Sequence, residues 1–247
     1  MTRGAHPVLF LVTCEHGGNS VPAPWRARFR GAERALASHR GWDPGALGVA
    51  RTYARELRAP LVASTVSRLF VELNRSLSHP ALFSEWMRDV SADDRATILD
   101  RWWRPHRAGV EAHVRRAVRD ERTIVHLAMH TFTPIWEGKR RPTEIGLLFD
   151  PRRVREAAWC RAWQRGIVRA GFVAHRNRPY RGWTDGLTTH LRSRFPARCY
   201  LGIELEIRQD FFDPGGHARR GRGAEVASEI LRAMPRAIPD FDRRARV

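Results

Sequence analysis

The sequence predicts an α/β protein with a mixed, mostly parallel sheet covered by helices on both faces. Three observations carry this. Short apolar or β-branched runs alternate with helical patterns along the chain, and the stretches between them are long enough to serve as crossover connections. The 247 residues, 43% hydrophobic and 28% charged, suffice for one large domain that buries on the order of 70–75% of its unfolded surface. No period of 20–50 residues repeats and no Pro/Gly/Ser-rich linker divides the chain, so a single domain over 1–247 is expected.

Taken in order, a first strand is expected at Val8–Cys14, where five apolar residues are followed by β-branched Thr13. A helix over Pro44–Leu57 follows, with Asp43 at its N-cap. Strands at Leu61–Val66 and Leu69–Leu73 come next. A long helix over Ala92–Asp120 starts after Ser91, with Asp94 at the capping-box position and an interruption at Pro105. Strands at Ile124–Met129 and Ile145–Phe149 precede a helix over Val154–Ala170 that Gly171 stops, and a strand at Tyr200–Ile207 closes the series.

Composition narrows the function classes. The apolar run Val8–Val12 is too short for a bilayer span or a signal-peptide core, and only Arg3 is charged ahead of it, so the chain reads as soluble and unprocessed. Cys14, Cys160 and Cys199 match neither a zinc ribbon nor a redox CxxC, which suits a reducing, cytoplasmic compartment. The net charge of +18 raises nucleic-acid binding. Only Lys139 of the 44 basic residues is lysine. The densest basic spots, Arg115-Arg116, Lys139-Arg140-Arg141, Arg219-Arg220-Gly221-Arg222 and Arg243-Arg244-Ala245-Arg246, lack interleaved aromatics. A solvated basic surface is favoured, with neither nucleic acid nor membrane as partner.

Ligands of open α/β sheets bind beyond the carboxyl ends of strands. Two histidines fall there: His16 within Cys14-Glu15-His16-Gly17-Gly18-Asn19, and His130 within Met129-His130-Thr131-Phe132-Thr133-Pro134. Imidazole is the commonest metal ligand, and two of them with a carboxylate make a three-ligand catalytic site; either histidine alone could simply cap its strand through backbone hydrogen bonds. In Ser67 to Arg75, strand alternation would put Arg68, Phe70, Glu72 and Asn74 on one face. An arginine fork beside an asparagine suits a carboxylate ligand, against a structural Arg68–Glu72 ion pair. Glu204 and Glu206 share a face of an otherwise apolar strand, where a glutamate could serve as general base or as a structural acid paired with an arginine. The stretch Asn177 to Gly186 reads as a loop, either plain surface or a donor-rich substrate wall, with Gly182 and Gly186 free to take positive φ.

Several blocks in one order resemble the N-formylglutamate amidohydrolase family: Cys-Glu-His-Gly-Gly-Asn-x-Val-Pro at 14–22, Trp42-Asp43-Pro44-Gly45-Ala46, Ser67-Arg68 to Asn74-Arg75, His130-Thr131-Phe132-Thr133-Pro134, Glu144-Ile145-Gly146-Leu147-Leu148, Asn177 to Gly186 and Gly202 to Gln209. The resemblance spans roughly residues 8–212. More distantly it extends to the zinc carboxypeptidases and the aspartoacylase and succinylglutamate desuccinylase enzymes, which implies their mixed, carboxypeptidase-like (phosphorylase/hydrolase-like) architecture.

The resemblance implies His16 and His130 as ligands of one zinc ion per chain, Arg68 as the group that polarises the scissile carbonyl, Asn74 and Arg75 as the clamp on the substrate carboxylate, and Glu206 as general base. Glu206 is preferred to Glu204 because it precedes Ile207-Arg208-Gln209 much as the catalytic acid precedes its tail in the relatives. The distant relatives carry a glutamate three residues after the first histidine, where this chain has Asn19. Asp43 is the substitute third ligand, with helix capping as its rival role, and Glu15 a weaker substitute. The implied activity is hydrolysis of an N-acylated amino acid, most simply N-formyl-L-glutamate to formate and glutamate, in amino-acid metabolism and histidine degradation. The same site acting on another N-acyl amino acid, or a degenerate basic binding protein, are the alternatives; Arg141, Arg181 and Arg192 are the reserve carboxylate readers. The oligomeric state is not legible.

Overall fold

The computed structural model describes residues 8–212, 222–235 and 237. Six strands form one sheet: β1 (Leu9–Cys14), β2 (Leu61–Ala63), β3 (Ile124–Phe132), β6 (Ile145–Leu148), β7 (Ala174–Arg176) and β8 (Tyr200–Arg208), in the order β2-β1-β3-β8-β6-β7. Every ladder is parallel except β6 against β8, so the sheet is mixed and mostly parallel, as the alternation of elements predicts. A separate antiparallel hairpin, β4 (Ile135–Trp136) with β5 (Lys139–Arg140), rises after β3.

The helices are α1 (Glu33–Ala37), α2 (Ala46–Leu57), α3 (Ala92–Ile98), α4 (Arg104–Arg119), α5 (Val154–Arg169), α6 (Leu187–Arg194) and α7 (Arg222–Arg232). One face of the sheet packs on α2, α5 and α7 through Val12, Val125, Leu127, Met129, Leu201, Ile203, Leu205 and Ile207, against Tyr53, Trp159, Trp163 and Ile230. The other face meets α4 and α6 through Leu11, Ile124 and Tyr200, with Leu9 and Val62 partly buried beside them. Toward the carboxyl ends on that face the strands carry His130, Glu204 and Glu206 instead, and there the apolar layer gives way to a cavity.

Several expectations are corrected. Residues 69–73 form turns, not a strand, because Leu69, Phe70, Val71 and Leu73 sink into a separate apolar cluster with Met87, Ile98 and Trp103. The expected strand at Leu61–Val66 shortens to β2, with Val66 reduced to an isolated bridge to Ser20. Asp43 does not cap α2: Gly45 takes that position with φ +90°, which frees the Asp43 carboxylate. The long helix after Ser91 splits into α3 and α4 around a π-helical turn, Leu99–Trp103, which places Pro105 in the first turn of α4 where its missing N–H costs nothing. Ser91 does cap α3, accepting from the Asp94 N–H. Strand β7, the β4–β5 hairpin and helices α1, α6 and α7 were not anticipated. The basic residues Arg219, Arg220 and 243–246 lie outside the described residues. No helix among the described residues is long and apolar enough to cross a membrane.

Beneath the cavity, His126 of β3 is fully buried between Thr13 Oγ1, 2.9 Å from Nε2, and the Tyr200 hydroxyl, 2.8 Å from Nδ1. Burial pushes its pKa down to about 4 from an ordinary 6.5. The unfolded chain therefore binds this proton first as pH falls, so the contribution of His126 is unchanged above 6.5 and falls between pH 6.5 and 4, by about 3 kcal/mol at about 1.4 kcal/mol per unit. Urea unfolding of metal-free wild type and His126→Gln across that window should show the wild type losing stability relative to the variant by that amount as pH falls; parallel curves would assign the acid sensitivity elsewhere.

Candidate active site

Strand β1 delivers Glu15 and His16 just past its end, and the His16 carbonyl accepts the Asp43 N–H at 2.9 Å, tying the two segments together. Strand β3 delivers His130 directly opposite Glu206 of β8. Parallel pairing points these two side chains to the same face. The turn segment at 67–75 adds Arg68, Glu72, Asn74 and Arg75.

One oxygen organises the centre. Asp43 Oδ2 lies 3.2 Å from His16 Nδ1 and 2.9 Å from His130 Nδ1, while Asp43 Oδ1 accepts from Arg68 at 3.1 Å. A buried glutamate stands behind each histidine: His16 Nε2 is hydrogen-bonded to Glu72 Oε1 at 2.5 Å, and His130 Nε2 lies at an ion-pair distance of 3.2 Å from Glu15 Oε2 without hydrogen-bond geometry. Neither ring caps its strand through the backbone. Ligand atoms of His16, Asp43 and His130 lie within 4.8 Å of one another and all three residues are buried. Two imidazoles and a carboxylate are a catalytic zinc donor set, and metal-bound histidines ordinarily hand their second nitrogen to a carboxylate or carbonyl, so these residues fit a divalent metal. Glu15 stands behind His130, away from Asp43, and is outside this group of three.

Charge explains the burial. Against the burial penalty, His16 and Arg68 hold the Asp43 carboxyl far below its usual range, and Arg68 with His16 does the same for Glu72. Burial opposes protonation of His130, yet Asp43 and Glu15 raise it well above an ordinary histidine. Glu206 differs. Burial, with Asp43 and Glu204 nearby, pushes its pKa up to about 8 although His130 and Arg68 pull it down. Its Oε2 is buried without a hydrogen-bond partner. Glu204, less buried, accepts from the Thr188 hydroxyl at 2.5 Å.

A cavity of about 370 Å³ opens over the centre, and all seven of the site residues singled out above border it: His16, Asp43, Arg68, Asn74, Arg75, His130 and Glu206. Arg68 does form the ion pair with Glu72 that the structural alternative requires, and faces the cavity as well. Arg75 gives one nitrogen to the carbonyls of Asn74 and Asp185, at 3.2 and 2.8 Å. Asn74 Oδ1 accepts from the Leu187 N–H at 2.7 Å, which turns its Nδ2 into the available donor. Of the reserve arginines, Arg181 borders the cavity, Arg141 reaches the Tyr180 hydroxyl from outside it, and Arg192 is buried against Glu156 and the carbonyls of Gly182 and Gly202.

The loop at 177–186 brings Tyr180, Arg181, Thr184 and Asp185 to the cavity wall. Its glycines serve close approach, not the positive φ expected of them: Gly186 is extended at φ 170°, and a Cβ on Gly182 would come within 2.1 Å of the Phe149 nitrogen. The loop crosses β6 at Gly146, where a Cβ would meet the Arg178 carbonyl at 2.3 Å, with the Glu206 Cβ 3.1 Å away. Sequence reasoning covered Tyr180 only as part of the loop and Glu72 only as a partner of Arg68; it missed the contacts of Glu72 with His16 and the Asn74 N–H and the pairing of Glu15 with His106. Only Glu72 left a signal, as a carboxylate among apolar residues next to two arginines.

The family model of N-formylglutamate amidohydrolases matches residues 8–212. Among solved structures, a gene product of Agrobacterium tumefaciens is 28% identical, with a TM-score of 0.76 over 91% of this chain and 89% of that one. An N-formylglutamate amidohydrolase from Ralstonia eutropha is 19% identical, with a TM-score of 0.65 over 93% of each chain, a likeness of fold. Comparison with curated proteins returned no match.

The seat of the loop on β6 is testable. Gly146→Ala forces a methyl group against a backbone carbonyl and should lower stability in urea by about 1–3 kcal/mol. Unchanged stability would mean that the loop does not rest on that strand.

Proposed function

The chain belongs to the N-formylglutamate amidohydrolase family, and from that premise we propose that it hydrolyses the amide bond of an N-acylated amino acid, N-formyl-L-glutamate first, to formate and L-glutamate. The reading carries a cytoplasmic place in amino-acid, including histidine, degradation. Its strongest support is the convergence of two histidine Nδ1 atoms on Asp43, both rings backed by buried glutamates, facing the unpartnered Glu206 oxygen across the same cavity.

His16, Asp43 and His130 would hold one zinc ion, whose Lewis acidity makes a neighbouring water more acidic and a carbonyl more electrophilic. Glu206 Oε2 takes a proton from the attacking water as its oxygen bonds to the acyl carbon. The same carboxyl then returns the proton to the amide nitrogen as the C–N bond breaks. Arg68, fixed by Glu72 and Asp43, donates to the carbonyl oxygen as negative charge develops there. The free nitrogens of Arg75 and Nδ2 of Asn74 take the α-carboxylate of the small-molecule substrate, which sets the acyl group over the centre.

Three outcomes are expected. Purified protein should carry about one divalent metal per chain, and chelation should abolish hydrolysis of N-formyl-L-glutamate until metal is restored; full turnover by verified metal-free protein would refute the metal dependence. Glu206→Gln should lower kcat by roughly 10²–10⁴-fold with metal retained, whereas an equal loss in Glu204→Gln would reassign the base. Arg75→Lys, which keeps charge but not the fork, should lose nearly as much kcat/KM as Arg75→Ala on N-formyl-L-glutamate, and much less on the analogue whose α-carboxylate is an amide. Equal losses on both substrates would make Arg75 structural.

A further inference from the structure

Glu15 is the least expected carboxylate of the centre. It is 1% exposed, next in sequence to His16, yet both of its oxygens approach other histidines: Oε1 is hydrogen-bonded to His106 Nε2 at 3.3 Å, and Oε2 lies at an ion-pair distance of 3.2 Å from His130 Nε2, neither of these last two atoms having a hydrogen-bond partner among the described residues. The two ring nitrogens of an imidazole point apart, so a carboxylate beside Nε2 leaves Nδ1 to face Asp43. His106 arrives from the first turn of α4, directly after the π-helical turn at Leu99–Trp103. The same turn of helix also holds the segment at 73–75: Arg107 donates to the carbonyls of Leu73 and Arg75, and the Trp103 indole N–H to that of Arg75. Helix α4 therefore braces the two sides of the cavity at once.

We propose that Glu15 is a positioning residue of the metal centre, holding His130 with Nδ1 turned toward Asp43, and that His106 holds Glu15 in place from α4. This rests on the metal-dependent reading above. A carboxylate kept only to anchor α4 to β1 would need His106 and not the contact with His130.

The test is Zn²⁺ affinity, measured by competition with a chromogenic chelator on wild type, Glu15→Gln, Glu15→Ala and His106→Gln, each checked for folding by circular dichroism. The visible spectrum of the Co²⁺-loaded forms reports ligand geometry alongside. Loss of an outer carboxylate should weaken binding roughly 10-fold in Glu15→Gln and up to about 100-fold in Glu15→Ala, with an altered Co²⁺ spectrum and a several-fold loss in His106→Gln. If the wild type itself binds no stoichiometric Zn²⁺, the metal reading fails and takes this inference with it. If the wild type binds and the folded Glu15 variants match its affinity and spectrum, Glu15 only supports the fold. Should neither Glu15 variant fold, His106→Gln, which touches no ligand, decides: unchanged affinity overturns the proposal.

Discussion

Four carboxylates, Glu15, Asp43, Glu72 and Glu206, are buried to within 5% of complete at one end of the sheet. Unpaired, each would cost several kcal/mol. The neighbourhood is arranged to prevent this: His106 and His130 meet Glu15, His16 and Arg68 meet Glu72, and both site histidines with Arg68 meet Asp43. Glu206 alone is left out of the close ion pairs, and it is the group whose proton affinity moves toward neutrality. The same electrostatic arrangement that stabilises three acids thus leaves the fourth without a partner among the described residues.

Such a cluster needs a rigid platform, and the two central strands provide it. Nine consecutive pairs join β3 to β8, from Ile124 with Tyr200 to Phe132 with Arg208. Because each strand alternates, the apolar layer under α2, α5 and α7 continues unbroken beneath His130 and Glu206. The polar groups occupy one face only, and only beyond the point where α4 and α6 stop covering it with apolar side chains.

Much of this was legible in the sequence, for reasons that also explain the rest. Strands β1, β3, β6 and β8 announced themselves as short apolar runs because both of their faces are covered. The run at 69–73 has the same composition and no strand, since composition reports burial and not the partner. Asp43 before Pro44 looks like a helix cap; what moves it into the site is Gly45, whose left-handed backbone starts α2 two residues later. The histidines stood out by their place after strands, and the resemblance supplied roles. His106 had no such mark, lying 91 positions from Glu15 on the buried face of a helix whose phase is set by a π turn. No spacing rule reaches across that distance.

The way the 177–186 loop lies over β6 separates two parts of the molecule that natural variation can treat differently. The histidines and acids sit on strand ends and packed turns, where one altered residue disturbs several ion pairs. The wall formed by Tyr180, Arg181 and Thr184 belongs to a loop whose backbone is seated on Gly146 through Arg178 and on Phe149 through Gly182, and none of these three side chains is part of the His16–Asp43–His130 group. Exchanging these loop side chains therefore reshapes the cavity wall while leaving the histidine–carboxylate group undisturbed, so long as the two glycines are kept.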